Sequence, residues 1–300
     1  MDLQFRVASR CELLPYLIGL PLGLSRKRAK ELIRFRAVTI QANAMVSHDT
    51  PLEPGYVVTI TSRRPARDLG PERHGLKIVH LDDAIVVIDK PSGLLSMGSE
   101  REKEKTAYRI LNDHLKGHAK SPRQQVFIVH RLDRETSGLM MFARTESVRT
   151  ALQRNWQTVT KRYLAVVEGV LANPKGTLRD RLAEDQSLKV HRVDKGGELA
   201  ITHYRVLRTH RDKSLLELEL ETGRKNQIRV QLAALGHPIV GDRKYGARTD
   251  PVRRLALHSS ELRFRHPVSG APMEFRCALP DRLEALISGG RSRVRDHQCD

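Results

Sequence analysis

The sequence predicts an α+β fold in two parts: a small N-terminal module of two helices and a few strands, then a larger domain on a mixed, mainly antiparallel sheet. Three observations predict it. A chain of 300 residues exceeds the roughly 100–200 that one ordinary domain uses. At 62–75 (SRRPARDLGPERHG) two prolines and two glycines interrupt a run of charges and the apolar periodicity stops, which reads as a linker. Beyond it, strand-like alternation is interspersed with only a few helical stretches, an order that favours an α+β domain.

Taking the elements in order, Leu13, Leu14, Leu17 and Ile18 fall at helical spacing until Pro21 and Gly23 break the pattern. Ser25 is a good N-cap for a second helix, RKRAKELIRF. That helix puts Ala29, Leu32 and Ile33 on one face and Arg26, Lys27 and Lys30 on the other, so one face packs and the other is cationic. Residues 38–40 and 56–60 (YVVTI) read as short strands, with a turn near Asn43. After the linker, 76–81 (LKIVHL) and 84–91 (AIVVIDKP) give a hairpin signal around Asp82 and Asp83. Residues 126–130 and 139–143 read as apolar strands bracketing a polar loop. A helix is expected over 147–156, strands over 161–168, 202–208 and 215–221, and a helix over 227–235 closed by Gly236. The tail from Ser288 opens on glycines, is basic and has almost no apolar residues, so disorder is expected there. The boundaries that result are 12–62 for the small domain, 63–75 for the linker, 76–287 for the large domain and 288–300 for the tail.

Composition narrows the function. The mean hydropathy is −0.45 and no apolar run approaches the ~20 residues of a bilayer span, so a soluble chain with no membrane partner is expected. Lys and Arg number 53 against 35 Asp and Glu, a net +18 that sets a positive field over part of the surface and favours a polyanionic partner. Cys11, Cys277 and Cys299 form neither an even set nor a CxxC pair, which argues against a disulfide framework and a thiolate metal site and fits a reducing cytoplasm. No export signal is visible at the N-terminus. Neither GxxxxGK[ST] nor GxGxxG occurs, and the 13 histidines show no HExxH, so no nucleotide cofactor or metal is expected.

The most informative stretch is 129–141, VHRLDRETSGLMM, where a loop holding His130, Arg131, Asp133, Arg134 and Glu135 joins two apolar segments. Catalytic residues concentrate on such loops, yet a carboxylate between arginines also reads as a structural ion pair.

HRLDRETSGL resembles the signature loop of the RluA-type pseudouridine synthases, with Asp133 at the position of the essential aspartate. Further segments agree in order: DDAIVVIDKPSGLL (82–95) resembles the family's first motif and KRYLAVVEG (161–169) the strand carrying its active-site tyrosine. ETGRKNQIRVQLAALGHPIVGDRKYG (221–246) resembles the basic motif, and LALHSSELRFRHP (255–267) the closing segment. The likeness spans about 76–279. It implies a pseudouridine synthase catalytic domain in which Asp133, Tyr163 and Arg229 are catalytic, with Arg229 pairing the aspartate and Arg224 as the fallback. Many relatives carry histidine where this chain has Asn226 and Gln231, which puts the local hydrogen bonding in doubt. Residues 12–60 are similar to an S4 domain, a small RNA-binding module (α-L), although Phe35, Arg36 and Ala37 stand where S4 sequences often have glycine.

The resemblance implies an RNA uridine isomerase acting on structured RNA, ribosomal RNA being favoured by the S4-like segment and transfer RNA the alternative. The reaction cleaves the bond from uracil N1 to the sugar, turns the base and joins C5 to the same carbon. It transfers no electron, so no cofactor is implied. The aspartate can attack the anomeric carbon or stabilise positive charge there, and both routes stay open. A stacked uridine must be flipped out, and Arg131 is the side chain expected to fill the gap, its alternative being a pair with Glu135. Arg26, Lys27 and Lys30 are the expected RNA-binding cations of the small domain, and a monomer suffices. Two rivals remain: a non-catalytic RNA-binding or ribosome-assembly factor, and a glycoside hydrolase using Asp133 and Glu135. A binding protein has little use for a carboxylate facing phosphates, and a chain with 4% aromatic residues offers few sugar platforms.

Overall fold

Hydrophobic spacing sets the first helix. In the computed structural model, which describes residues 3–34, 37–41, 46–60, 71–98, 102, 104–118 and 125–288, helix α1 (Leu13–Gly19) buries Leu13, Leu14 and Leu17. Helix α2 (Arg26–Arg34) starts where Ser25 Oγ accepts the Arg28 N–H at 3.2 Å; it buries Ala29 and Ile33 and exposes Arg26, Lys27 and Lys30. Around these helices lie five short strands: β1 (Leu3–Arg6), β2 (Cys11–Glu12), β3 (Val38–Ile40), β4 (Pro51–Leu52) and β5 (Val57–Ile60). Strands β1, β5 and β3 form one antiparallel sheet in that order, and β2 pairs with β4. Val38, Leu52 and Val58 complete the core against the helices.

The chain divides between Gly70 and Pro71. Two expected boundaries therefore move. The small unit begins with β1 rather than at Glu12; only Phe5 of LQFR is even partly buried, so that strand carries no apolar alternation to read. Pro71–His74, assigned to the linker, forms a single 3-10 turn leading into the fully buried Leu76. Residues 63–70 of the linker, the turn near Asn43 and the tail from 289 lie outside the described residues, and Ser288 is the last residue of a helix.

The larger unit is built on β6 (Lys77–Leu81), β7 (Ile85–Lys90), β8 (Phe127–Ile128), β9 (Ser137–Ala143), β10 (Thr160–Glu168), β11 (Lys175–Glu184), β12 (Val190–Val193), β13 (Glu198–His210), β14 (Lys213–Leu220), β15 (Leu257–Arg265) and β16 (Pro272–Arg276). The strand order is β12-β11-β13-β14-β10-β15-β9-β7-β6, with β16 also on β15 and β8 also on β9. Among the described strands one pairing is parallel, β9 with β15, and it joins two residue pairs only, Ser137 with His258 and Gly138 with Ser259. Gly138 sits at φ +108°, and a Cβ there would lie 2.2 Å from the Ser259 carbonyl oxygen, so no side chain fits at this seam. Ser137 Oγ reinforces the seam, accepting from Arg254 Nη2 at 2.6 Å and lying 2.9 Å from His258 Nδ1. Beyond the seam β15 pairs with β16 and β9 with β8.

Helices α3 (Ala107–His118), α4 (Glu146–Arg154), α5 (Gln227–Ala234) and α6 (Asp281–Ser288) accompany the sheet. One core joins Val86, Ile88, Met140 and Phe142 to Ala165, Leu216, Leu232 and Leu283, and a second packs Val87 and Met141 with Val148 and Leu262. Both cores extend across the seam. No helix among the described residues is long and apolar enough to cross a membrane.

Candidate active site

The 130–137 loop is fixed from several sides. His130 stacks on Trp156 with ring centroids 4.5 Å apart, and its Nε2 accepts the Met141 N–H at 3.0 Å. Burial, aided by Lys161, pushes that imidazole down to about 3, so it stays a neutral acceptor at physiological pH. Opposite lies the stretch that follows β7. Ser96 Oγ donates to the Leu132 carbonyl at 2.6 Å and accepts the Leu132 N–H at 3.1 Å. Ser92 Oγ donates to the Glu135 carbonyl, and Gly93 N–H donates to the Arg134 carbonyl at 2.9 Å. The fully buried Lys90 donates Nζ to the carbonyls of Pro91, Leu94 and Arg134 at 2.7 to 3.2 Å. Burial pulls this ammonium down to about 7, with Glu135 and Asp133 opposing the shift. The first motif thus serves to clamp the loop that carries Asp133.

Asp133 projects from this clamp with 30% of its side chain exposed. Arg229, on the first turns of α5, places Nη1 3.3 Å from Asp133 Oδ2. Its stronger partner is Asp242, which accepts Nε at 2.7 Å and Nη2 at 2.8 Å as a bidentate pair. The arginine is 11% exposed and Asp242 1%. Burial alone would weaken the Arg229 charge; the two carboxylates outweigh it and hold the guanidinium's pKa above its ordinary value. A cation fixed by one buried carboxylate therefore offers an N–H to a second, solvent-accessible one.

Asn226 is the residue the sequence singled out only as a departure from relatives. It adopts the left-handed conformation, φ 53° and ψ 19°, immediately before α5, which asparagine tolerates better than most residues. The turn is held by Gln227, whose Oε1 accepts from Thr222 Oγ1 and the Arg224 N–H. With its amide oriented to satisfy both neighbours, Asn226 donates Nδ2 to Asp133 Oδ2 at 2.7 Å and accepts from Tyr245 Oη at 2.9 Å. The Tyr245 ring also carries the Arg229 guanidinium, 5.1 Å from its centroid. Gln231, the other departure, is buried; it accepts from Thr202 Oγ1 and donates to Asp180 and the Ala200 carbonyl, a structural position.

Tyr163 lies in β10 beside Ser259 of β15 and is almost wholly buried. Burial pushes its hydroxyl up to about 12; the Asp133 charge adds to the rise and Ser259 opposes it. The group is a neutral hydroxyl at physiological pH. Asp133, Arg229 and Tyr163 are thus brought together. Arg224 is not part of the group, since it pairs with Glu198 at 2.6 Å. Arg131 is exposed, with Nη1 3.6 Å from Met97 Sδ, and the guanidinium near Glu135 is that of Arg134 at 3.9 Å. Sequence reasoning missed Asp242 and Tyr245, although both lie in the quoted basic motif. The usable signal was that a buried arginine needs a fixed anion besides the reactive one. Among the described residues no cluster suited to a metal ion occurs.

The chain is similar to several known proteins. A family model described as RNA pseudouridylate synthase matches residues 84–234. Ribosomal large subunit pseudouridine synthase D of Vibrio cholerae is 36% identical over 283 residues, covering 86% of this chain and 85% of that protein. The uncharacterized RNA pseudouridine synthase YlyB of Bacillus subtilis is 34% identical, covering 89% of this chain and 90% of its own length. Among solved structures, human RNA pseudouridylate synthase domain containing 4 superposes with a TM-score of 0.58 at 26% identity, over 69% of this chain and 93% of that one.

Proposed function

The chain belongs to the RNA pseudouridylate synthase family, and from that premise we propose that it isomerises uridines of ribosomal RNA with Asp133 as the group that acts on the ribose. One observation carries the reading: a partly exposed carboxylate, clamped by two loops, receives hydrogen bonds from Asn226 and Arg229 on its Oδ2 side. An ionised carboxylate leaving water needs such compensation. Oδ1, which the Asn226 amide reaches only at 3.2 Å, is the oxygen less committed to these donors and the one assigned to the anomeric carbon of the extruded nucleotide. Large-subunit ribosomal RNA is favoured over transfer RNA because the Vibrio cholerae relative, like one from Salmonella typhimurium, is named a ribosomal large subunit enzyme. The reading is tested with RNA carrying tritium at uracil C5: label released to water marks the isomerase, intact binding without release marks an assembly factor, and free uracil marks a hydrolase. The hydrolase is disfavoured because Glu135 lines a separate cavity with Lys90 and Arg254 that Asp133 does not line.

Tyr163 is the group assigned to base stacking and proton handling. As a neutral phenol it accepts a proton from C5 only by passing its own onward, so its work is relay rather than direct abstraction. Tyr163→Phe is expected to keep RNA affinity and lose about 10²–10⁴ of turnover, read by tritium release against a filter-binding titration. Full activity in that variant removes the proton role.

Arg131, exposed at the mouth of the loop, is assigned to filling the vacated stack, and Arg26, Lys27 and Lys30 of the S4-like unit to the RNA backbone. One titration on folded and unfolded RNA tests both assignments. Arg131→Ala is expected to slow turnover on the folded RNA more than on an unstructured oligonucleotide. Lys27→Glu with Lys30→Glu weakens binding to both and flattens its salt dependence. Equal losses for Arg131→Ala on the two RNAs, or unchanged affinity for the lysine pair, removes the respective assignment. A monomer in the cytoplasm fits, since one chain supplies every group named and Cys11 and Cys277 are free thiols.

A further inference from the structure

Glu135 and Ser137, close to Asp133 in the chain, line a cavity of about 430 Å³ that Asp133 itself does not line. Its walls come from the stretch after β7, from Glu135 and Ser137, from the turn before β15 and from the start of α6. Three arginines line it, Arg253, Arg254 and Arg282, with the buried Lys90 already engaged by carbonyls, against the carboxylates Asp89 and Glu135. Its remaining titratable group, His258, is neutral, since burial holds it down at about 4.

Its three arginines are not spent on carboxylates. Some other arginines of this unit do meet carboxylates, as Arg162 meets Glu219, Arg224 meets Glu198 and Arg263 meets Glu274. Among the described residues Arg253 and Arg282 have no such partner, and Arg254 commits Nε to the Leu255 carbonyl and Nη2 to Ser137 while leaving Nη1 free. The two carboxylates are partly engaged otherwise: Asp89 accepts from Cys277 Sγ at 3.2 Å, and Glu135 stands 3.9 Å from Arg134. Arg253 is also held in the left-handed region at φ 53°, a conformation a non-glycine residue keeps only when its surroundings enforce it. Asp250 enforces it, accepting the Arg253 N–H on its carbonyl and the Arg254 N–H on Oδ1. A strained turn that presents two adjacent arginines to a cavity, with a third facing them from α6, is an arrangement for a multivalent anion.

Position identifies the anion. Glu135 on the cavity wall is two residues from Asp133, a chain distance of at most about 7 Å. A nucleic-acid strand advancing roughly 3.4 Å per nucleotide along its axis spans that gap within a few nucleotides. We propose that this cavity seats a backbone phosphate of the RNA substrate beside the flipped uridine, fixing the strand so that the sugar meets Asp133. Arg253 and Arg282 supply the mobile contacts and Arg254 the anchored one. The proposal rests on the RNA reading above.

The test compares Arg253→Ala/Arg282→Ala with a control of equal charge loss elsewhere, Arg205→Ala/Arg208→Ala on β13, using unmodified large-subunit ribosomal RNA made in vitro and the full-length protein. The cavity pair is expected to bind about tenfold more weakly at 0.1 M salt and to flatten the slope of log affinity against log salt by about 0.7–1, the change for one lost phosphate contact; the control changes both less. All four side chains are removed from partly or fully exposed positions, and thermal melts confirm that each variant is folded. Equal effects in the two pairs, or none in the cavity pair, overturn the proposal. Inorganic phosphate that raises the melting temperature of the parent but not of the cavity pair, with the RNA slope unchanged, assigns the cavity to free phosphate and also overturns it. Tritium release by the parent is scored separately: its absence sinks the isomerase, whereas the binding comparison still decides the cavity.

Discussion

Asp133→Asn is expected to abolish tritium release, by about 10⁴-fold or more, while leaving RNA affinity equal or higher. The rate loss corresponds to roughly 5 kcal/mol of transition-state stabilisation, the scale on which a group that bonds to or directly neutralises the reacting carbon contributes. The substitution is nearly isosteric, the side chain is partly exposed, and Arg229 keeps its bidentate pair with Asp242, so the fold has no reason to change. Affinity holds or rises because a negative charge has been taken away from a place where phosphates approach. Wild-type release from the asparagine variant would show that the carboxylate is structural and the ion-pair reading of the loop correct.

The second large effect belongs to Arg229. Arg229→Met is expected to lose activity and also to lower the unfolding free energy by about 3–5 kcal/mol, because Asp242 is left as a buried charge without its partner. The double variant Arg229→Met/Asp242→Asn separates the two consequences. It removes the orphaned charge and should recover most of the stability, read from denaturant midpoints, while turnover stays low because Asp133 has lost its cation. Recovery of turnover along with stability would mean that Arg229 serves the fold alone. Arg229→Lys is not a conservative test, since an ammonium cannot span Asp242 bidentately and still reach Asp133.

Much of the site was legible because its chemistry is concentrated in short contiguous strings. Asp133 stands in one such string and Arg229 in another, and the structure closes the 96 positions between them to 3.3 Å. What stayed hidden depended on partners distant in sequence. Asn226 looked like a loss relative to histidine, yet its amide still donates to Asp133; a donor's value is set by where the backbone aims it, and the left-handed turn does the aiming. The missed elements have a similar cause. Strand β11 carries apolar side chains chiefly at Leu178 and Leu182 among lysine, arginine and aspartate, so it pairs through its backbone with little hydrophobic signal. Helix α3 had a readable stripe in Ala107, Ile110, Leu111 and Leu115, all buried, and was passed over because charged flanks masked it. Helix α2 showed its two faces openly, and they stand as its spacing implies.

The short parallel contact at Gly138 has a mechanical meaning. Asp133 rides on the part of the sheet made by β6 to β9, whereas Tyr163 and Arg229 ride on the part made by β10 to β15, and among the described residues two residue pairs of backbone ladder join the parts. Apolar packing, which tolerates small sliding better than a ladder does, and the side-chain hydrogen bonds of Ser137 with Arg254 and His258 carry much of the rest of the joint. Alignment of the carboxylate with its cation therefore depends on how this joint sits, and on heating, tritium release is expected to fall before the melting midpoint, a result checked by following release and unfolding over the same temperatures.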